Sequence, residues 1–168
     1  MIKYFNMYMH IKMEDNSKNV LTEMLKCRKY TDIYPKDDDE DILTAKDTYG
    51  MTIMIIFFRD QKLNTKGMNN IISMLNDMSI KRCIIVYSDD ITSATKNTLL
   101  RSSDITFELF TQQELQINIT KTELQPKSFT KLSDEEKEHF ISEFGINIPR
   151  FKTDKPIARY FNYLAGDI

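Results

Sequence analysis

Asp47 followed by Asp60, Gln61 and Lys62 has the form of a D…(D/E)-x-K nuclease site, in which two carboxylates hold Mg²⁺ and a lysine steadies the attacking water. Such a trio also arises readily in a chain that is 29% charged, and Arg59 to Lys66 reads equally as a solvated loop after a strand. A second chemistry-bearing group is Thr92, Ser93 and Lys96 at an expected helix start, where free backbone N–H groups and hydroxyls suit a phosphate. Against that, Ser or Thr before a helix commonly serves as an N-cap, and the neighbouring Asp89 and Asp90 repel phosphate. His10 and His139 are the only histidines, so no Ser-His-Asp set is expected, and His139 beside Glu138 reads as a surface residue. Four scattered glycines build neither a Walker loop nor a dinucleotide-binding turn. Cys27 and Cys83 match no metal-ligand spacing and read as reduced, buried thiols of an intracellular protein, a disulfide between them being the lesser alternative. The residues thus imply no metal, cofactor or small-molecule substrate outside the nuclease alternative.

The elements that must position these groups form an α/β unit. Phe5, Met7, Met9, Ile11 and Met13 alternate with mostly polar residues, as in a half-buried strand. Ser17 to Arg28 reads as a helix with Val20, Leu21, Met24 and Leu25 on one face. The run from Lys36 to Asp41, a lysine followed by acids, reads as a solvated loop. Met51 to Phe58 is an apolar, β-branched run of strand length. A helix from about Met68 to Met78, with Ile71, Ile72 and Leu75 inward, leads to a buried strand from Arg82 to Tyr87. Strand, helix, strand in that order implies a right-handed crossover and parallel pairing. A helix from about Ser93 and a strand from Ile105 to Leu109 complete the layer.

Towards the end of the chain, Pro126, Pro149 and Pro156 fix φ at turns or helix starts. Ser133 and Glu136 make a capping box that opens a helix running to about Phe144 and stopping at Gly145. Phe140, Ile141 and Phe144 lie at helical spacing and are expected to face a core. Asp154, ahead of Pro156, is the expected cap of a short helix through Ile157, Tyr160 and Phe161. Arg150 and Arg159 have two readings: pairing internally with Asp154 or Glu123, or presenting planar forks to a partner.

The 168 residues suffice for one ordinary domain or two small ones, burying roughly 70% of the unfolded surface. A formal net charge of −2 argues against a free-standing nucleic-acid binder, so any DNA contact is local or borrowed from partners. Met51 to Phe58 is too short to cross a bilayer, and no membrane association is expected. The opening MIKYFNMYMHIKM carries His10 and Lys12 within its apolar part and lacks a small-residue cleavage site, so it does not read as a signal peptide.

Four motifs stand in fixed order from Ile117 to Ile168: INITKTELQPK, LSDEEK, INIPRF and TDKPIARYF. They resemble the C-terminal assembly domain of the fifth subunit common to nuclear RNA polymerases I, II and III, a family with an archaeal counterpart. That family's pattern runs N-I-T, E-L-x-P-K, L-S-x-E-E-K, L-P-R-I and D-P-V-A-R-Y. The matching residues are Asn118, Ile119 and Thr120; Glu123, Leu124, Pro126 and Lys127; Leu132, Ser133, Glu135, Glu136 and Lys137. They continue with Ile148, Pro149, Arg150 and Phe151, then Asp154, Pro156, Ile157, Ala158, Arg159 and Tyr160. The first two thirds are similar to the same family at Met24, Leu25, Arg28 and Tyr30, its M-L-x-x-R-G-Y, with Lys29 in place of the glycine. Cys83 to Ala94 resembles its strand and loop G-I-F-V-Y-x-x-N-I-T-P-S-A, without the proline between Thr92 and Ser93.

The resemblance implies an α/β (α+β) protein: residues 1–112 a nuclease-like jaw domain with a mixed sheet flanked by helices, and 113–168 a small α+β assembly domain. It implies a non-catalytic polymerase subunit that anchors to the largest subunit, contacts other polymerase subunits and lines the path of downstream double-stranded DNA. Thr92, Ser93 and Lys96 are then the DNA-contact candidates. Glu123, Pro126, Lys127, Pro149, Arg150, Asp154, Pro156, Arg159 and Tyr160 are the assembly-motif or interface candidates. The alternatives are a Mg²⁺-dependent restriction-type nuclease and a free-standing transcription regulator of the same fold. The family continues past Gly166-Asp167-Ile168 with two strands ending in R-Y-x-x-Y-R, and has a longer helical stretch between Tyr30 and Met51. A cut chain and a reduced form such as a large DNA virus encodes are both open. An intracellular site is implied: the nucleus if cellular, the virion or host cytoplasm or nucleus if viral.

Overall fold

The structure is a computed structural model that describes residues 16–168 except 38, 59–63, 89–90, 103, 124, 127 and 151. The expected strand at Phe5 to Met13 lies outside the described residues. The chain divides into two compact units between Ile117 and Asn118.

In the first unit, helix α1 (residues 16–27) presents Val20, Leu21, Met24 and Leu25 to the interior, as their spacing predicts. A five-stranded sheet follows in the order β1 (Tyr30–Lys36), β2 (Asp39–Asp47), β3 (Thr52–Phe58), β4 (Arg82–Tyr87) and β5 (Thr106–Thr111). The first three strands form an antiparallel meander, whereas β3, β4 and β5 run parallel. Parallel neighbours need crossovers, and these are α2 (Thr65–Asp77) and α3 (Ser93–Arg101), which pack against each other. The sheet is therefore mixed and flanked by helices, as expected.

β3 and β4 are buried on both faces, which is why they read as unbroken apolar runs rather than as alternation. Met54 and Ile56 of β3 with Cys83 and Ile85 of β4 meet Met68, Ile71 and Leu75 of α2 and Leu99 of α3. Ile53, Ile55, Ile84 and Val86, also buried, point to the opposite face by the two-residue period. α1 covers that face: the Lys18 ammonium lies 5.8 Å from the Phe57 ring centroid, and Arg28 reaches Glu108 of β5.

Two expectations are corrected. Lys36 to Asp41 is solvated but is not a loop: Lys36 ends β1, pairs with Asp39 and turns the chain into β2. Backbone pairing supplies the hydrogen bonds, and charged side chains and Pro35 are tolerated because β1 has a neighbouring strand on only one side among the described residues. Cys27 is exposed rather than buried, and the two cysteines are not joined in a disulfide. Burial pushes the Cys83 thiol far above its ordinary pKa, so it stays protonated and behaves as a small apolar side chain.

Lys29 leaves α1 with φ of 65°, a left-handed conformation that favours glycine, which is the residue at this position of the motif that the segment resembles. A side chain there costs about 1 kcal/mol. Lys29→Gly is therefore expected to raise the urea midpoint of the first unit by an amount equivalent to roughly 1 kcal/mol. An unchanged or lowered midpoint would contradict the strain.

The second unit is smaller and built differently. Its described elements are a 3-10 turn at Ile119–Lys121 and two helices, α4 (Asp134–Phe144) and α5 (Pro156–Phe161), joined by extended segments. Among its described residues the buried apolar ones are Ile157, Ala158 and Tyr160, all on α5. No helix among the described residues is long and apolar enough to cross a membrane.

Candidate functional surfaces

Asp47 ends β2 and shapes the turn into β3. Its Oδ1 accepts the backbone N–H groups of Tyr49 at 2.9 Å and Met51 at 2.8 Å, while Gly50 follows with φ of 79°. This carboxylate has a structural task, as expected of an Asx-type turn. Its expected nuclease partners Asp60, Gln61 and Lys62 lie outside the described residues. Among the described residues no three His, Cys, Asp or Glu side chains group so as to hold a metal ion.

At the start of α3, Thr92 is the N-cap, its hydroxyl accepting the Thr95 N–H at 3.2 Å and meeting the Thr95 hydroxyl at 2.9 Å. The capping alternative for Thr92 therefore holds in the structure. Ser93 is exposed at the first helical position, and Lys96 lies in the same turn. Thr95 is fully buried, which ties this helix start to the core.

Buried charge gathers at the far end of α1. Arg28 donates through both guanidinium nitrogens to Glu108, at 3.0 and 2.8 Å, a bidentate fork. Arg82 lies 3.8 Å from the same carboxylate and donates to the Tyr30 hydroxyl at 3.0 Å. Burial raises the Tyr30 pKa, opposed chiefly by the Arg82 charge. The R-x-Y of the first family motif thus locks α1 and β1 to β4 and β5. Sequence reasoning missed this lock because Glu108 is distant in sequence and looks like any strand carboxylate.

In the second unit the first and last motifs meet. The buried Asn118 donates its amide Nδ2 to the Tyr160 hydroxyl at 3.1 Å and accepts at Oδ1 from the Thr120 backbone N–H and hydroxyl, at 3.0 and 2.7 Å. Asn118 thereby caps the 3-10 turn and fixes it to α5. The start of α4 is held by the expected capping box: Ser133 Oγ accepts the Glu136 N–H at 3.2 Å, and Glu136 Oε2 accepts the Ser133 N–H at 2.8 Å. That backbone hydrogen bond holds the Glu136 carboxyl below its usual pKa range. The last residues pack back against this start. Leu132 N–H donates to the Ile168 carbonyl at 2.9 Å, Lys137 to the Gly166 carbonyl at 2.6 Å, and Lys131 pairs with Asp167 at 2.7 Å. The Leu164 backbone N–H, then Lys131, keep the Asp167 carboxyl below the ordinary value.

The assembly-motif candidates separate by exposure. Pro156 occupies the first turn of α5, Tyr160 is buried and Arg159 is partly buried. Glu123, Pro126, Pro149, Arg150 and Asp154 are exposed or partly so, and Lys127 lies outside the described residues. Arg150 reaches the Ile146 carbonyl at 3.4 Å. Asp154 is not the cap expected of it: Lys155 holds the N-cap position without a side-chain bond, and Pro156, which lacks an N–H, removes one donor that a cap would serve. Phe140 and Ile141 are only partly buried, and Phe144, also expected to face a core, does not. No residue of α4 is buried, and Phe144 is 61% exposed.

Residues 117–168 match the family model described as RNA polymerase Rpb5, C-terminal domain. A relative from Dictyostelium discoideum, DNA-directed RNA polymerases I, II, and III subunit rpabc1, is 32% identical over 120 residues, covering 67% of this chain and 60% of the relative. The chain belongs to the Rpb5 family. Two further relatives, the RPABC1 subunits of polymerases I, II, and III from Caenorhabditis briggsae and Caenorhabditis elegans, are each 29% identical over 139 residues, covering 80% of this chain and 65% of theirs. The chain thus spans 60–65% of the length of these Rpb5 relatives. The Rpb5 match coincides with the second unit, so the Asn118 and Tyr160 pair lies inside the domain that defines the family.

Proposed function

We propose that this Rpb5-family chain is a non-catalytic subunit of a multisubunit DNA-directed RNA polymerase. The observation that carries the proposal is the family match across the whole second unit, where the motif series doubles as the unit's internal framework. In this reading residues 113–168 are an assembly domain that anchors on the largest subunit. Glu123, Pro149, Arg150 and Asp154, which take no part in the Asn118 and Tyr160 pair, are its contact residues. Residues 1–112 are the jaw beside incoming downstream duplex, with Ser93 and Lys96 in the first turn of α3 as its phosphate-contact candidates. The net charge of −2 keeps such contact local and dependent on the assembled enzyme. Bond-making, including any Mg²⁺ chemistry, belongs to the two large subunits. The chain works where that polymerase works, in the nucleus of a cell or at the corresponding site for a virus.

Co-expression with the largest subunit tests the reading. The expected result is a stoichiometric complex that survives gel filtration at moderate salt. No complex, together with metal-dependent DNA cutting by the isolated chain, would replace this function with that of a nuclease.

A further inference from the structure

We infer that the outer face of α4 docks a basic segment of another polymerase subunit through an aliphatic or aromatic anchor; this rests on the subunit reading above. Phe140 and Phe144 stand one turn apart on the same face of the helix, with ring centroids 4.8 Å from each other. Phe144 is 61% exposed, and Ile146, just past Gly145, is 65% exposed. Lys137 and Ile141 lie on the flank that turns towards the unit, with Lys137 bonded to the Gly166 carbonyl. The opposite flank carries Glu136 and Glu143. Phe140 and Ile141 are partly covered by their own unit, so the open apolar surface is the outer ring Phe144 with Ile146, and exposed apolar groups set side by side in this way mark interaction surfaces.

Charge selects the occupant. α4 holds Asp134, Glu135, Glu136, Glu138 and Glu143 against the single Lys137. His139, the remaining basic group, faces Glu143 at 3.7 Å. Phosphate is repelled by such a helix, which argues against nucleic acid. A second copy of the chain would set the same acids against one another, so a symmetric pairing through α4 is disfavoured. A lysine- or arginine-flanked apolar segment satisfies both features: its anchor covers the exposed edge of the Phe140 and Phe144 pair while its cations meet Glu136 and Glu143 on the open flank.

The test uses the full chain within purified polymerase. A photoreactive benzoylphenylalanine in place of Phe144 is expected to cross-link to a peptide of another subunit that carries lysine or arginine beside an apolar residue. The double substitution Phe144→Ser and Glu143→Lys is expected to lower retention by the polymerase about tenfold or more, with the thermal midpoint of the free chain unchanged. Cross-links confined to the chain itself, to a second copy, to DNA or to an acidic peptide would overturn the inference, as would retention equal to that of the unsubstituted chain. If the unsubstituted chain is not retained either, the subunit reading itself has failed, and this inference with it.

Discussion

Arg28→Ala is expected to destabilise the first unit by about 3–5 kcal/mol, because it strips a buried carboxylate of its bidentate partner. The Arg28 and Glu108 side chains are only 4% and 14% exposed, so water cannot replace the lost fork. Arg82 at 3.8 Å is too far to substitute with comparable geometry, and its guanidinium is already bonded to Tyr30. Arg28→Lys retains the charge but not the planar fork, and its loss should lie between that of alanine and zero. The exposed pair Lys18 and Glu40, 4.0 Å apart with the glutamate side chain 82% exposed, provides the contrast: Glu40→Ala should change stability by less than about 1 kcal/mol. Urea unfolding of the three variants measures the series. A loss below about 1 kcal/mol for Arg28→Ala would show that the fork is not a principal tie.

Tyr160→Ala should unfold the second unit while leaving the first intact. The side chain is 3% exposed, packs edge-on against Phe161 at 5.2 Å and holds Asn118 across 42 residues of sequence. Truncating a buried aromatic typically costs about 3–5 kcal/mol, which is comparable to the whole stability a core this small supplies. Tyr160→Phe keeps the ring and loses only the hydroxyl, leaving the buried Asn118 amide without that acceptor, at a cost of about 1–3 kcal/mol. Limited proteolysis with mass readout separates the outcomes: rapid cleavage beyond residue 117 in the alanine variant, slower cleavage in the phenylalanine variant, and a first unit protected in both. Equal protection of the second unit in all three proteins would mean that the Asn118 and Tyr160 pair does not hold it.

Burial decided which parts of the fold were legible in the sequence. β3 and β4 announce themselves because they are covered on both faces, and α1 and α2 because a single apolar stripe repeats at helical spacing. β1 and the start of β2 do not, because an edge hairpin is held by backbone hydrogen bonds that leave no mark on side-chain pattern. Asp32 and Asp37, at φ of 50° and 51°, and Pro35 interrupt whatever alternation would have remained. Local chemistry was legible to the residue at α4, where the capping box and the glycine stop are both present. What its apolar residues face was not, since helical spacing shows that a stripe exists and says nothing of whether this chain or another covers it.

The same division runs through the candidate surfaces. The motif series gave the family from residue identity and order, and the match over residues 117–168 agrees. It did not distinguish residues that build the unit from residues left on its surface. Tyr160 and Asn118 are turned inward on each other, whereas Arg150 and Asp154 remain exposed. No single motif contains that information, because the pairing joins the first motif to the last. Likewise Lys29 reads as a departure from a glycine until its left-handed backbone explains why glycine is favoured there.

Native mass spectrometry of the full-length protein, isolated under non-denaturing conditions from its own source, tests the polymerase role most directly. The expected spectrum shows the chain in one assembly with both large polymerase subunits. A spectrum showing only the free chain, with polymerase purified separately from the same source lacking it, would contradict that role.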